Sequence, residues 1–543
     1  MKKINKILAL CITIVLVLSS IVFVNAEEKM KGVWVSTVSN LDYPKTKTTD
    51  AESLKAEAVE ILDNCKSLGL NAVFFQVRPA SDAFYKSEIY PWSQWLTGSQ
   101  GTAPDNGFDP LEFWINEAHK RGIELHAWIN PYRITNNGIS LTSLAHNNPA
   151  RINPEYAVKY TNGNYYYDPA IPQVRQMVID GVMEIVNNYN VDGIHMDDYF
   201  YPGSEFDDHK SFEAYNRGFT DKEEWRRDNV NLLVKGISDA VRGSGKNVKF
   251  GISPSGIWAN KDWNELGSAT KGFQSYYSIY ADTRKWAVEN WIDYIAPQLY
   301  WEIGYDKADY SVLVNWWADI LKNSNTRLYI GMGDYRCDSA DATSGWYNGK
   351  AIKAQLDLNN TVAKVSGEIH FRYSSIIKNS SLYNIIQNAC LGRTEPATEP
   401  TTGVINEETV AATKPDVIQE PTVSSIQTDE IKVLINGTEL KFDQPPIIEN
   451  GRTLVPMRAI FEALGAQVSW DSDNNKVTAK NNDTVIAMVI GKNNMTLNSK
   501  TVSLDVAPKL VNGRTLVPIR AVSEAFDAQV GWSNSTRTVT IKK

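Results

Sequence analysis

Eight short apolar runs, each separated from the next by a helix-like stretch, constrain this chain more than any other feature. Between Lys31 and about Ser380 the runs are Gly32–Ser36, Ala72–Val77, Glu124–Ile129, Gly193–Met196, Lys249–Ser253, Tyr294–Pro297, Arg327–Gly331 and Gly367–Phe371. Short, mostly apolar runs are what strands buried on both faces look like. Between them lie stretches such as Ala51–Leu68, Leu111–Arg121 and Val174–Tyr189 whose apolar residues recur at helical spacing. In the last of these, Val174, Met177, Val178, Gly181, Val182 and Ile185 share one face. The alternation predicts an α/β fold, a (β/α)8 TIM barrel with long loops over residues 27–393. An open doubly wound sheet is the competing arrangement, but no Gly-rich phosphate turn follows the first run.

A barrel of this kind keeps its chemistry at the C-terminal ends of its strands. The stretch Asn190–Pro202, N-V-D-G-I-H-M-D-D-Y-F-Y-P, is an apolar run that ends in Asp197 and Asp198 and continues into aromatic residues. Adjacent acids at such a point also suit a helix cap or a cation site. The neighbouring runs favour chemistry, because polar and aromatic residues gather at the same end of nearly every one. Cleaving an acetal needs one carboxyl group to protonate the leaving oxygen and another to stabilise or attack the sugar cation. The candidates are Asp198, Asp197 and Glu302. Arg78, His126, Asn130, His195, Gln298 and Tyr300 are candidate partners of sugar hydroxyls, and Trp128 and Trp301 candidate stacking faces. Structural alternatives stand beside these: Glu302 as a loop acid, Asp197 as an orienter of Arg78 or His195, and His195 as a packed barrel residue. No His-Glu-x-x-His or similar spacing supports metal ligation by Asp197, Asp198 and His126, so neither metal nor cofactor is expected.

The flanks speak to compartment. Residues 1–26 read as a secretory signal: Lys2, Lys3 and Lys6, an apolar run from Ile7 to Val24, and a small-residue cleavage site ending at Ala26. An uncleaved anchor is the rival, since the apolar run is long. Only Cys65, Cys337 and Cys390 follow, too widely spaced for a disulfide framework. The net charge of −8 argues against a nucleic-acid binder. The expected setting is therefore secreted or extracellular, with no membrane contact after signal cleavage. Residues 394–430, rich in Thr, Pro and Glu, read as a disordered linker that cannot bury a core. In 431–543 the segment Asn450-Gly-Arg-Thr-Leu-Val-Pro recurs at Asn512, which predicts one small duplicated α+β domain.

Two family resemblances sit on these motifs. Gly32-Val-Trp-Val-Ser, Phe75-Gln-Val-Arg-Pro, His126-Ala-Trp-Ile-Asn-Pro-Tyr-Arg, Asp192-Gly-Ile-His-Met-Asp-Asp-Tyr, Gly251-Ile-Ser-Pro and Asp293-Tyr-Ile-Ala-Pro-Gln-Leu-Tyr-Trp together resemble glycosyl-hydrolase-like family 10. The resemblance covers about Met30–Ser380. It implies a TIM-barrel glycosidase acting on polysaccharide, with bacterial peptidoglycan glycan as a substrate of part of the group. Asp192-Gly-Ile-His-Met-Asp is also similar to the strand-four motif of the α-amylase superfamily, whose nucleophile falls on Asp197; α-glucan cleavage is thus an alternative, as is a wall protein that holds glycan without cutting it. The doubled Asn-Gly-Arg-Thr-Leu-Val-Pro resembles the module named after the N-terminal domain of copper amine oxidases. With no His and no Cys in 431–543 it carries no copper chemistry; it is read as a cell-surface or wall attachment module, with a plain structural β-rich appendage as the alternative.

Overall fold

Side-chain alternation along the eight runs sorts them into an inner and an outer layer, and the computed structural model shows both. It describes residues 28–393 apart from 137, 339, 341 and 342, together with most of 431–542. The expected signal (1–26) and linker (394–430) lie outside the described residues. The chain divides into one unit within residues 1–400 and a second within 401–543.

All eight runs are strands, with ends shifted by one or two residues: β1 (Met30–Val35), β2 (Ala72–Arg78), β3 (Glu124–Ile129), β4 (Gly193–Met196), β5 (Lys249–Ile252), β6 (Tyr294–Ile295), β7 (Arg327–Met332) and β8 (Val365–His370). They pair in parallel, each with its neighbours in sequence, and β8 closes on β1. The crossovers carry helices α1 (Ala51–Leu68), α2 (Pro110–Lys120), α3 (Pro172–Asn188), α4 (Lys222–Gly243), α5 (Thr283–Val288), α6 (Tyr310–Ile320) and α7 (Lys350–Asn359), and α8 (Ser380–Leu391) follows β8. Asp50, Asp109, Asp221 and Asp309 cap α1, α2, α4 and α6 by accepting from first-turn N–H groups. Outward strand residues such as Val73, Phe75, Ile194 and Met196 join the helices in one large apolar cluster. There Trp114 of α2 stacks on Phe75 at 4.3 Å between ring centres.

Inside the barrel the layer beneath the C-terminal rim is polar. Trp34 Nε1 can only donate, so His195 Nε2, 3.1 Å away, accepts. His195 Nδ1–H then donates to the Tyr294 hydroxyl (3.1 Å), which donates to His126 Nδ1 (3.0 Å). His126 Nε2–H donates to Glu124 (3.2 Å), and Lys249 Nζ donates to the same carboxylate at 2.9 Å. Each imidazole thus has one donor and one acceptor nitrogen in use while neutral. Burial pushes both pKa values below the usual histidine range, that of His195 well below. The rings fit because their neighbours lack side chains. A Cβ on Gly193 would lie 2.2 Å from His126 Nδ1, and one on Gly251 2.2 Å from the Tyr294 ring.

In the second unit the two repeat copies pair with each other. Arg452–Pro456 runs antiparallel to Arg514–Pro518, with Leu454 opposite Pro518 and Pro456 opposite Leu516. The helices Met457–Ala463 and Ile519–Glu524 follow directly, and Phe461 meets Phe526 edge-on at 5.9 Å. The duplication therefore makes one shared core, flanked by four- and five-stranded sheets.

A histidine held neutral in the fold costs stability once the unfolded chain takes up a proton, which begins as pH falls through about 6.5. His195→Gln keeps one donor and one acceptor but cannot titrate. The stability gap between wild type and His195→Gln should therefore shrink by about 1.4 kcal/mol per pH unit below that point. Urea titration at several pH values checks this; a gap independent of pH would show that His195 is protonated equally in both states.

Candidate active site

Inward alternation along β4 runs Gly193, His195, Asp197, so Asp197 arrives at the top of the barrel axis one layer above the buried histidine. With Asp198 it lines a cleft of about 220 Å³. Trp34, Trp128, Tyr199, Tyr300 and Phe371 supply aromatic walls, and Arg133, Ser253 and Gln298 polar ones.

The two acids sit in different surroundings. Asp197 is buried yet meets only donors: Trp128 Nε1 at 2.9 Å, the Tyr199 N–H at 3.2 Å and the Asn130 amide at 3.3 and 3.4 Å. Burial raises its pKa, while the Arg133 charge and these donors pull it back. A carboxyl group offered donors on both oxygens has no acceptor for a proton of its own, so the geometry favours the ionised form. That charge then acts on Asp198. Burial first, and next the Asp197 carboxylate, push the Asp198 carboxyl up to about 7, against weaker opposing effects from its own backbone N–H and from Gln298. Neighbouring acids with separated titrations are the arrangement acid–base chemistry requires. Burial also lifts the Tyr300 hydroxyl well above its ordinary range, so it remains a neutral donor.

Several expected residues lie elsewhere, each for a geometric reason. Gln76 pairs with Trp128 but Arg78 with Ile129, so the register slips at Val77 and Arg78 shares the outward parity of Ile129. Its guanidinium lies over the Tyr90 ring at 4.6 Å and against Gly181 of α3. The cation that faces the acids is Arg133, itself 4.0 Å over the Tyr199 ring. His126 and His195 belong to the buried chain under the cleft; the packed alternative for His195 is the one the structure shows. Asn130 acts behind Asp197. Trp301 and Glu302 follow cleft-lining Tyr300 but are not among the lining residues; Trp301 packs on the helix layer and the Glu302 carboxylate lies against Gly345. Trp128, Gln298 and Tyr300 do line the cleft.

Trp34, Tyr199 and Phe371 are not among the sequence candidates, while Arg133 ends the motif that follows the third run without a role assigned to it. Trp34 was findable by parity on β1, and Phe371 by its position one residue past β8. Gln76 proves to be a structural bolt: its side-chain oxygen accepts from Ser36 Oγ and from the N–H groups of Thr37 and Val38, tying down the segment after β1. Among the described residues no three His, Cys, Asp or Glu side chains group as metal ligands would.

Comparison with known proteins agrees with this architecture. Residues 29–348 match the family model described as Glycosyl hydrolase-like 10. The chain belongs to the glycosyl hydrolase-like 10 family. Within reach of this family assignment, Glycosyl hydrolase YngK of Bacillus subtilis (strain 168) is 43% identical over 360 residues, 65% of this chain and 70% of that protein. Glycosyl hydrolase DigH of Escherichia coli (strain K12) is 39% identical over 368 residues, 64% of this chain and 83% of that protein. The solved PgaB (BpsB) glycoside hydrolase domain from Bordetella bronchiseptica aligns at a TM-score of 0.43 and 11% identity, over 66% of this chain and 98% of that one. Residues 434–541 match the copper amine oxidase N-terminal domain. This member of the glycosyl hydrolase-like 10 family is a glycoside hydrolase.

A proton donor must still hold its proton. With Asp198 near 7 as the candidate acid, kcat/KM should fall about tenfold per unit as pH rises above about 7, with a separate acidic limb where the partner carboxylate takes up a proton. Raising the Asp197 charge effect is testable in the same profile: Asp197→Asn should move this limb to lower pH. An unmoved limb in Asp197→Asn would take the coupling away.

Proposed function

We propose that this chain is a secreted enzyme that cleaves the glycan strands of bacterial cell wall, with Asp198 as the general acid. The observation that carries the chemistry is Asp198 itself, a carboxyl held up to about 7 beside an ionised neighbour within aromatic walls. The secretory reading of residues 1–26 and the resemblance described above support the substrate class. In the reaction Asp198 passes its proton to the glycosidic oxygen as the bond from the anomeric carbon to that oxygen breaks. A carboxylate then faces the developing cation, and water completes hydrolysis with Asp198 taking a proton back.

Which carboxylate faces the cation has two readings. Asp197 and Asp198 are adjacent on one strand end, whereas flanking a sugar from both faces calls for an acid on another strand. Glu302 is the first acid on the segment after β6; in this structure its carboxylate lies against Gly345, outside the cleft lining, and we assign it that part in a glycan-bound arrangement in which it turns inward. Asp197, in the cleft already, is the other reading. Asp198→Asn should lower kcat by ~10² or more, and so should Glu302→Gln. Products from intact and amidase-stripped peptidoglycan, with soluble α- and β-glucans alongside, are followed by mass spectrometry. Glu302→Gln at a near wild-type rate would transfer the role to Asp197, and wild-type cleavage of glucans alone would overturn the wall substrate.

The duplicated domain is proposed as a wall attachment module. A tethered binder raises the local substrate concentration without altering the chemistry. Removing residues 431–543 should then lower activity on intact walls several-fold and leave soluble fragments unaffected, as measured by release of reducing ends. Equal activity on intact walls would end the attachment reading.

A further inference from the structure

Large apolar side chains left in solvent are concentrated on the face of the barrel that bears the cleft. Trp263 is 67% exposed, Leu266 56% and Phe273 53%, all on the segment after β5; Tyr305 (45%) follows β6 and Tyr199 (49%) follows β4. The segment after β5 begins at cleft-lining Ser253 and is braced throughout. Ser255 bridges to Gln298, another lining residue, and the Lys271 N–H donates to the Lys307 carbonyl at 2.7 Å, joining the two rims. At the tip, Trp316 Nε1 donates to the Leu266 carbonyl (3.2 Å) and the Tyr277 hydroxyl to that of Trp263 (3.3 Å). The Trp263 ring leans on Tyr277 at 5.5 Å.

An indole fixed on a braced loop and open to water has its ordering cost met in advance and its face unused. Its neighbours Lys261, Asp262 and Glu265 are exposed and polar. A flat apolar face edged by hydrogen-bonding groups matches a pyranose ring, which is apolar on its faces and hydroxylated at its edge. We propose that this loop is a distal glycan-binding surface, on which Trp263 stacks against a sugar of the strand that runs out of the cleft. The occupant is argued from the root of the segment, which leaves the cleft wall at Ser253 and bridges through Ser255 to cleft-lining Gln298, and the inference rests on reading that cleft as a site for glycan. It makes the enzyme favour long strands over short fragments.

The test uses full-length protein with two substrates, long amidase-stripped peptidoglycan strands and a tetrasaccharide from the same material. Trp263→Ala should raise KM about tenfold on the long strands while kcat, and all constants on the tetrasaccharide, stay at wild-type values. Trp263→Phe, which keeps an aromatic face, should recover most of the loss. Binding of long strands is measured separately in Asp198→Asn and in Asp198→Asn with Trp263→Ala, where the second should bind about tenfold more weakly. The binding arm does not depend on turnover: a loss there without wild-type cleavage upholds the surface and removes the catalytic reading. Equal affinity of the two Asp198→Asn chains, or an equal loss on both substrates, overturns the surface.

Discussion

A buried carboxylate surrounded by N–H groups is the interaction on which the cleft depends. Asp197 gains nothing from burial; desolvation raises its pKa. What opposes that is a set of donors drawn from separate places, the indole of Trp128, the amide of Asn130, the backbone of Tyr199 and the charge of Arg133. Every donor is positioned by the barrel: Trp128 by inward parity on β3, Asn130 and Arg133 by the segment that follows it. The charge they stabilise adds to burial, the larger cause, in holding the adjacent carboxyl of Asp198 up to about 7. The fold thus buries two adjacent acids and gives most of the donors to one of them.

The polar chain beneath that pair explains why it can be so fixed. A barrel interior filled only with aliphatic residues would offer no partner to Ser253 or Trp34, both of which line the cleft floor. Here His195 serves both, and its other nitrogen passes the requirement on through Tyr294 and His126 to Glu124 and Lys249. The inner members His195, Tyr294 and His126 each use a donor and an acceptor, between donor-only Trp34 at one end and the Glu124–Lys249 pair at the other. The glycines at 193 and 251 are part of the same arrangement, because bulk at either position would collide with the rings that carry it.

The barrel was legible in the sequence because its strands are buried on both faces and its helices on one, two patterns that differ in period. The rim was legible only in part, since parity carries through a regular strand and fails where the strand is irregular. One residue of slip at Val77 turned Arg78 from the axis to the helix layer. At β6, only two residues long, the chain leaves the barrel so early that parity no longer predicts where Trp301 and Glu302 point. Histidine is ambiguous for another reason: at the same parity as a catalytic residue, depth decides its role, and His126 and His195 lie one layer too deep. Phe371 and Tyr199 are aromatic residues just past strands, indistinguishable in sequence from core packing.

The duplicated unit shows the converse, a case in which repetition in sequence does not mean repetition of independent parts. Each copy ends its strand with Leu-Val-Pro, and the two strands pair antiparallel so that Val455 faces Val517 with the flanking residues exchanged symmetrically. Neither copy buries its strand without the other, so the pair has to fold together. Such pairing makes any recognition by the unit a property of both copies at once. Identical motifs brought together about a local two-fold also present like groups on either side of the axis.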